Sequence, residues 1–154
     1  MTGRLFLLFG IAWLAGCAGP RSESEPPAWL VVARAAHQQA DRGIAAEKFE
    51  PARSALRHAL ELSGEGSLTI AQQQIVQDLY FRAAEVELLD GQPAAAASLA
   101  SEGLRRGPAG SVFAANLFIA RGQARVVLGQ DVSAGRDYHE ALKINERLLE
   151  QALK

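Results

Sequence analysis

The sequence predicts an all-α domain in which antiparallel helix hairpins stack one on another. Three observations predict this fold class. From Ala28 onward apolar residues recur at helical spacing, as at Phe49, Ala52, Leu56 and Ala59. No stretch alternates between apolar and polar residues with the period of two that is typical of a strand. Of the 154 residues 49% are hydrophobic and 21% are charged, which suits one folded domain.

Glycine, proline and short polar residues divide this region into helices. Turn signals fall at 63–67, 90–93, 107–110 and 129–131. Because such residues stop or start helices, the segments between them predict six helices. The predicted helices lie near 28–46, 50–62, 68–89, 93–105, 111–128 and 132–152.

A sequence repeat occurs three times in this region, and five of its positions can be aligned. We call each set of aligned residues a column. Its columns are Ala36, Tyr80 and Phe118; Ala40, Ala84 and Gly122; Glu47, Gly91 and Gly129; Ala52, Ala96 and Ala134; Ala59, Gly103 and Ala141. Small residues let two crossing helices approach closely, so the second and fourth columns are predicted to set the spacing within each hairpin. The larger residues predicted to fill the space between hairpins are Leu56, Tyr138, Leu60, Leu104 and Leu142.

The best matches to a known family are residues 47–62 and 90–108, and through them the sequence repeat resembles the tetratricopeptide repeat. The resemblance covers 33–145. It implies a short right-handed solenoid of three repeats, near 33–63, 77–108 and 115–145, with a C-terminal helical extension. The repeats are 44 and 38 residues apart, against about 34 in the family. Glu87 and Arg125 stand where the family has an apolar residue. The alternative is a plain six-helix bundle.

The N-terminus has the pattern of a secretory signal over residues 1–16. Arg4 precedes an apolar run from Leu5 to Ala15, which is too short to span a bilayer. The run ends in Leu-Ala-Gly before Cys17, the one cysteine of the chain. This ending resembles the bacterial lipobox, which implies cleavage before Cys17 and a covalent lipid on its thiol. A flexible tether over 17–27 and the helical domain over 28–154 are predicted to follow. The alternative is an ordinary signal peptide with an incidental cysteine.

The remaining composition argues against catalysis, metals and nucleic acid. Sixteen basic and seventeen acidic residues give a net charge of −1, without the basic excess that nucleic acid requires. His37, His58 and His139 lie on three different predicted helices without a partner at ligand spacing. The sequence contains neither a phosphate-binding glycine loop nor a nucleophile motif. It therefore predicts no enzyme, no metal and no cofactor besides the lipid on Cys17.

A helical repeat array offers surfaces to other proteins. The family resemblance implies that the first helix of each hairpin lines a concave side. Aligning the three repeats with the family's pattern places nine residues on the free face of these helices: Arg34, His37, Asp41, Asp78, Phe81, Glu85, Asn116, Ile119 and Gln123. Acidic residues mixed with Phe81 and Ile119 predict binding of a segment with basic and apolar side chains. The alternative is that these are ordinary exposed residues.

The last predicted helix carries an apolar stripe beyond the third repeat. No seventh helix is predicted to cover it. Leu148, Leu149 and Leu153 are therefore predicted to contribute to an association surface. The alternative is that the stripe folds back on the preceding helix.

Together these features predict a non-catalytic, lipid-anchored interaction module or adaptor. Ala18 rather than Asp follows Cys17, which by resemblance to lipoproteins implies the bacterial outer membrane, with the domain at its periplasmic face. The expected partners are the membrane, through the lipid, and other envelope proteins of a pilus, secretion or cell-wall apparatus. A structural module that associates with itself, as a homo-oligomer, is the alternative. An enzyme or accessory envelope protein is disfavoured.

Overall fold

The computed structural model describes residues 27–64 and 67–154, which form six α-helices and no strand. The helices are α1 (Ala28–Ala45), α2 (Phe49–Ser63), α3 (Ile70–Leu89), α4 (Pro93–Arg105), α5 (Val112–Val127) and α6 (Asp131–Ala152). The predicted all-α class and the six predicted helices are confirmed. The predicted signal segment, Cys17 and the tether up to residue 26 lie outside the described residues.

Local side chains fix where several helices begin. The Thr69 hydroxyl accepts a hydrogen bond from the Gln72 backbone N–H, and the Gln72 side chain accepts one from the Thr69 N–H, which completes a capping box at α3. Ser111 caps α5 by accepting from the Ala114 N–H at 3.0 Å. Pro93 opens α4, where its missing N–H costs no helical hydrogen bond.

The turn inside each hairpin is the same Schellman motif. At its centre stand Glu47, Gly91 and Gly129, the three described residues with positive φ, at 53°, 71° and 70°. In each turn the N–H that follows this residue reaches back five residues: Lys48, Gln92 and Gln130 donate to the carbonyls of Gly43, Glu87 and Arg125, all at 2.8 Å. The aligned positions Glu47, Gly91 and Gly129 of the sequence repeat therefore all adopt the left-handed conformation in the turns.

Replacing Glu47 with glycine is expected to stabilise the chain by about 0.5–1 kcal/mol, because glycine adopts positive φ without a Cβ penalty. The matched variant Gly91→Ala should destabilise it by about 1 kcal/mol. A Cβ at Gly91 meets nothing within 4 Å, so that loss would reflect backbone conformation alone. Urea unfolding measures both changes. A neutral or destabilising Glu47→Gly would show that the Glu47 side chain contributes more than its backbone strain costs.

Consecutive helices pack against one another from α1 to α6, and α3 also contacts α1 and α5. Helices α2, α4 and α6 do not contact one another. Each new first helix thus covers the pair before it: α3 lies on α1 and α2, and α5 lies on α3 and α4. This is a repeat-like stack of hairpins, as the sequence repeat predicted.

Small residues stand where the helices cross. The two small-residue columns are buried throughout, at Ala40, Ala84 and Gly122 and at Ala52, Ala96 and Ala134. A Cβ added at Gly122 would lie 2.7 Å from the Tyr138 ring, and one at Gly103 would lie 2.6 Å from the Tyr80 Cβ. A Cβ at Gly103 would require the helix that carries Tyr80 to shift, whereas a Cβ at Gly122 would require the Tyr138 ring to move. The predicted burial of these columns is confirmed, and their role in setting the spacing of the helices stays a prediction.

The predicted filling residues divide into two groups. Leu56 is fully buried, and Leu60 and Leu104 are half-buried against the main core, which runs from α1 to α5. Tyr138 and Leu142 on α6 are instead exposed. Their expected burial is wrong because no described helix covers the α5–α6 pair as α3 and α5 cover the pairs before it.

Candidate functional site

Ion pairs join the first helices of the first two hairpins. The Arg82 guanidinium on α3 pairs with Asp41 on α1 and with Glu85 one turn further along α3. Close by, the His37 Nε2 atom lies 3.5 Å from the Asp78 Oδ2 atom. Two predicted face residues thus meet directly, and two more meet through Arg82, which the sequence prediction had not included.

A shallow groove of about 350 Å³ lies between these two helices beside Asp78. Arg34 and His37 line it from α1, and Ile75 and Asp78 line it from α3. Burial raises the pKa of the Asp78 carboxyl above its ordinary value of 3.8, and the opposing charges of His37 and Arg82 offset this only in part. The ionised carboxylate is thus less favourable in the folded chain than in the unfolded one.

Asp78→Asn is expected to raise the melting temperature at pH 7, because the wild type bears the cost of an ionised, partly buried carboxylate. The wild type regains stability as the pH falls through the raised folded-state pKa, so the difference should narrow between pH 7 and pH 4.

Glu102 provides the opposite control, since hydrogen bonding to Arg105 lowers its pKa. Its stabilisation is present above the unfolded-state pKa and is lost as the pH falls through the folded-state pKa, so Glu102→Gln should lower the melting temperature at pH 7 and converge with the wild type in acid. A pH-independent effect of Asp78→Asn would contradict the prediction.

The remaining predicted face residues lie further along the stack. Phe81 is half-buried against the main core. Ile119 on α5 is half-buried against the smaller core between α5 and α6, Asn116 is half-buried, and Gln123 is exposed. No hydrogen bond or ion pair joins Asn116 or Gln123 to the α1–α3 group within the described residues. The face as a binding surface stays a prediction.

A half-buried ion-pair network joins α2 to α3, and the sequence prediction missed it. Arg53 donates to both carboxylate oxygens of Glu87, at 2.7 and 3.1 Å, to Asp90 at 2.5 Å, and also to Glu50. These hydrogen bonds raise the pKa of Arg53 above its already high ordinary value, with the bond to Glu87 the largest cause. One guanidinium therefore holds three carboxylates where the second hairpin meets the first.

A second network of reversed charge stands on α5 and α6. Asp137 is 2% exposed and accepts hydrogen bonds from Arg121 at 2.7 and 3.0 Å and from Arg125 at 2.7 Å. Arg121 also donates to the Ser101 hydroxyl on α4 and lies 5.2 Å from the centre of the Phe118 ring. Here two guanidiniums share one carboxylate.

The sequence carried a signal for both networks. Glu87 and Arg125 occupy the same column of the repeat, where the family resemblance implied an apolar residue. A charge in such a column requires an opposite charge on the helix packed against it. Arg53 on α2 and Asp137 on α6 are the residues that meet this requirement.

An apolar surface lies across the outer side of α5 and α6, and we call it the terminal face. Its members are more than one-third exposed: Val112, Val126, Tyr138, Leu142 and Leu149. The same columns are covered earlier in the stack. The positions equivalent to Val126 in the first two hairpins are Ile44 and Leu88, and both are half-buried. The positions equivalent to Tyr138 are Leu56 and Ala100, and both are fully buried.

The three predicted C-terminal association residues behave differently from one another. Leu148 is half-buried and packs with Ile144 against α5, so this part of the stripe folds back on the preceding helix. Leu149 is 61% exposed and Leu153 is 78% exposed. Leu149 therefore extends the terminal face, and the role of all three in association stays a prediction.

Metal-binding clusters and membrane-spanning helices are both absent from the described part of the chain. No group of three or more His, Cys, Asp or Glu there could hold a metal ion. No helix of 27–64 and 67–154 combines the length and hydropathy needed to cross a bilayer. Comparisons with protein-family models, with curated proteins and with solved structures find no match to this chain.

Proposed function

We propose that this protein is a non-catalytic adaptor that packs a helix of another envelope protein on its terminal face. The observation that carries the proposal is the exposure of Val126, Tyr138 and Leu142 in columns that are covered in the preceding hairpins. Exposed groups of apolar side chains are characteristic of interaction surfaces.

The stack itself indicates what kind of partner fits. The equivalent groove between α1 and α2 is covered by α3, and that between α3 and α4 is covered by α5. In both cases the covering element is an α-helix that presents an apolar side to the pair beneath. A partner helix with apolar residues at i, i+3, i+4 and i+7 meets the same requirement on α5 and α6.

Site-specific photo-crosslinking in the native cell tests the proposal. A photoreactive amino acid at Leu142, which is 54% exposed, should give one discrete product of this chain with a second protein, identified by mass spectrometry. The matched position is Ser54, an exposed residue on α2 away from the terminal face. It should give no such product.

The outcomes separate the adaptor from its alternative. A product containing two copies of this chain would overturn the adaptor and favour the self-association module. The absence of any product at Leu142, or the same product at Ser54, would overturn binding at the terminal face. Substituting Leu149 by Lys should reduce the product from Leu142 without lowering the melting temperature, because Leu149 is exposed in the free chain.

We further propose that a lipid on Cys17 holds the adaptor at the periplasmic face of the bacterial outer membrane. Its support is the lipobox-like ending before the chain's one cysteine. Cys17→Ser is expected to abolish both lipidation and cleavage before residue 17. Mass spectrometry of the purified chain measures both. Recovery of acylated chain from membranes of that mutant would contradict the anchor.

A further inference from the structure

A groove of about 540 Å³ lies between α5 and α6, and none of the residues that line it belongs to the terminal face. Its acidic residues on α6, Asp137 and Glu140, lie on the other side of the buried line through Ala141 from Tyr138 and Leu142. Phe118, Arg121 and Arg125 line the groove from α5, and Val132 and Arg136 are among its α6 residues.

The lining of this groove carries more positive than negative charge. Arg121 and Arg125 share the single carboxylate of Asp137, so one positive charge of that network is left uncompensated. Arg136 is exposed and forms no ion pair with any described residue. Glu140 also lines the groove, but Lys143 lies 3.0 Å from it and offsets its charge.

The side chains that line the groove and its open shape indicate which class of ligand it could bind. Guanidinium groups match carboxylates, because their planar forks donate two parallel hydrogen bonds. The Phe118 ring and the exposed Val132 add apolar surface beside the arginines, and Gly135 leaves the groove open because a Cβ there would meet nothing within 4 Å. An extended peptide with carboxylates and apolar stems fits such an open groove.

We propose that the groove between α5 and α6 binds an acidic peptide segment, with Arg125 and Arg136 as the groups that receive its carboxylates. This site and the terminal face have no residue in common. Failure of either interaction therefore leaves the other in place.

The test is fluorescence anisotropy of a labelled, end-blocked hexaglutamate peptide titrated with the purified full-length chain at low ionic strength. Arg136→Gln is expected to weaken binding about fivefold, because it removes one charge-assisted contact. It touches no bond of the Asp137 network, so the melting temperature should not change. Arg147→Gln is the matched control, since Arg147 is an exposed arginine on the same helix outside the groove.

Three outcomes would overturn the proposal. The first is no measurable binding of the peptide to the wild-type chain. The second is an equal loss in Arg136→Gln and Arg147→Gln, which would indicate general charge attraction. The third is displacement of the peptide by inorganic phosphate at a concentration equal to that of unlabelled peptide, which would assign the groove to a free oxyanion. Loss in Arg136→Gln alone, with weak competition by phosphate, supports the peptide.

Discussion

Asp137→Asn is expected to destabilise the folded chain by about 2–4 kcal/mol. The substitution keeps the shape of the side chain but removes the charge that two guanidiniums share, and it turns an amide N–H₂ toward at least one of them. Breaking a buried ion pair from one side costs about 3–5 kcal/mol. The lower expectation here follows from the arginines, whose side chains are 18% and 26% exposed and so keep some contact with water.

Urea unfolding measures this loss, with Glu140→Gln as the matched control on the same helix. Glu140 is exposed, so its substitution should change the free energy of unfolding by less than about 0.5 kcal/mol. A loss in Asp137→Asn no larger than that of the control would show that Arg121 and Arg125 gain as much from water as from the carboxylate.

Ala96→Leu is expected to cost about 1–3 kcal/mol, because Ala96 is fully buried in the small-residue column where α3 and α4 pack. Added methylenes there must separate the two helices or force neighbouring side chains from their preferred rotamers. The free energy of unfolding measures the cost.

The neighbouring residue supplies a control in the same helix turn. Ala95 is exposed, so Ala95→Leu adds the same atoms and similar helix propensity without meeting another helix. It should be close to neutral. If Ala96→Leu were equally neutral, Ala96 would not lie at a tight crossing, and the alignment of the three hairpins would be incorrect.

The helices could be predicted from sequence because their signals are local. Pro93, the glycines at 91 and 129 and the capping residue Thr69 each act within a few residues of a helix end. The sequence repeat also allowed the pairing of helices into hairpins to be predicted, since small residues occur at the same aligned positions in each hairpin. Glu47 could be identified as a turn residue only because it aligns with Gly91 and Gly129, since glutamate alone does not indicate positive φ.

The ion pairs could not be predicted in the same way. Arg53 and Glu87 are 34 residues apart, and their meeting depends on how α3 lies across α2. The alignment of the repeats showed that Glu87 and Arg125 were unusual for their position, but it did not show which residues would be their ion-pair partners. Tyr138 was predicted from its column to fill the space between hairpins, although no seventh helix was predicted to follow. Its exposure shows that the covering helix, rather than the column, decides whether such a residue is buried.

The reversal of charge between the two networks has a consequence for the order of the hairpins. Glu87 and Arg125 occupy equivalent positions, but Glu87 faces Arg53 whereas Arg125 faces Asp137. If α5 packed on α2 in place of α3, Arg125 would replace Glu87 beside Arg53. Arg53 would lose the carboxylates of Glu87 and Asp90, and Asp137, which would accompany α5, is already shared by Arg121 and Arg125. Such a misassembled stack is penalised although its apolar columns match, so the hairpins of this protein are similar in shape yet not interchangeable in sequence.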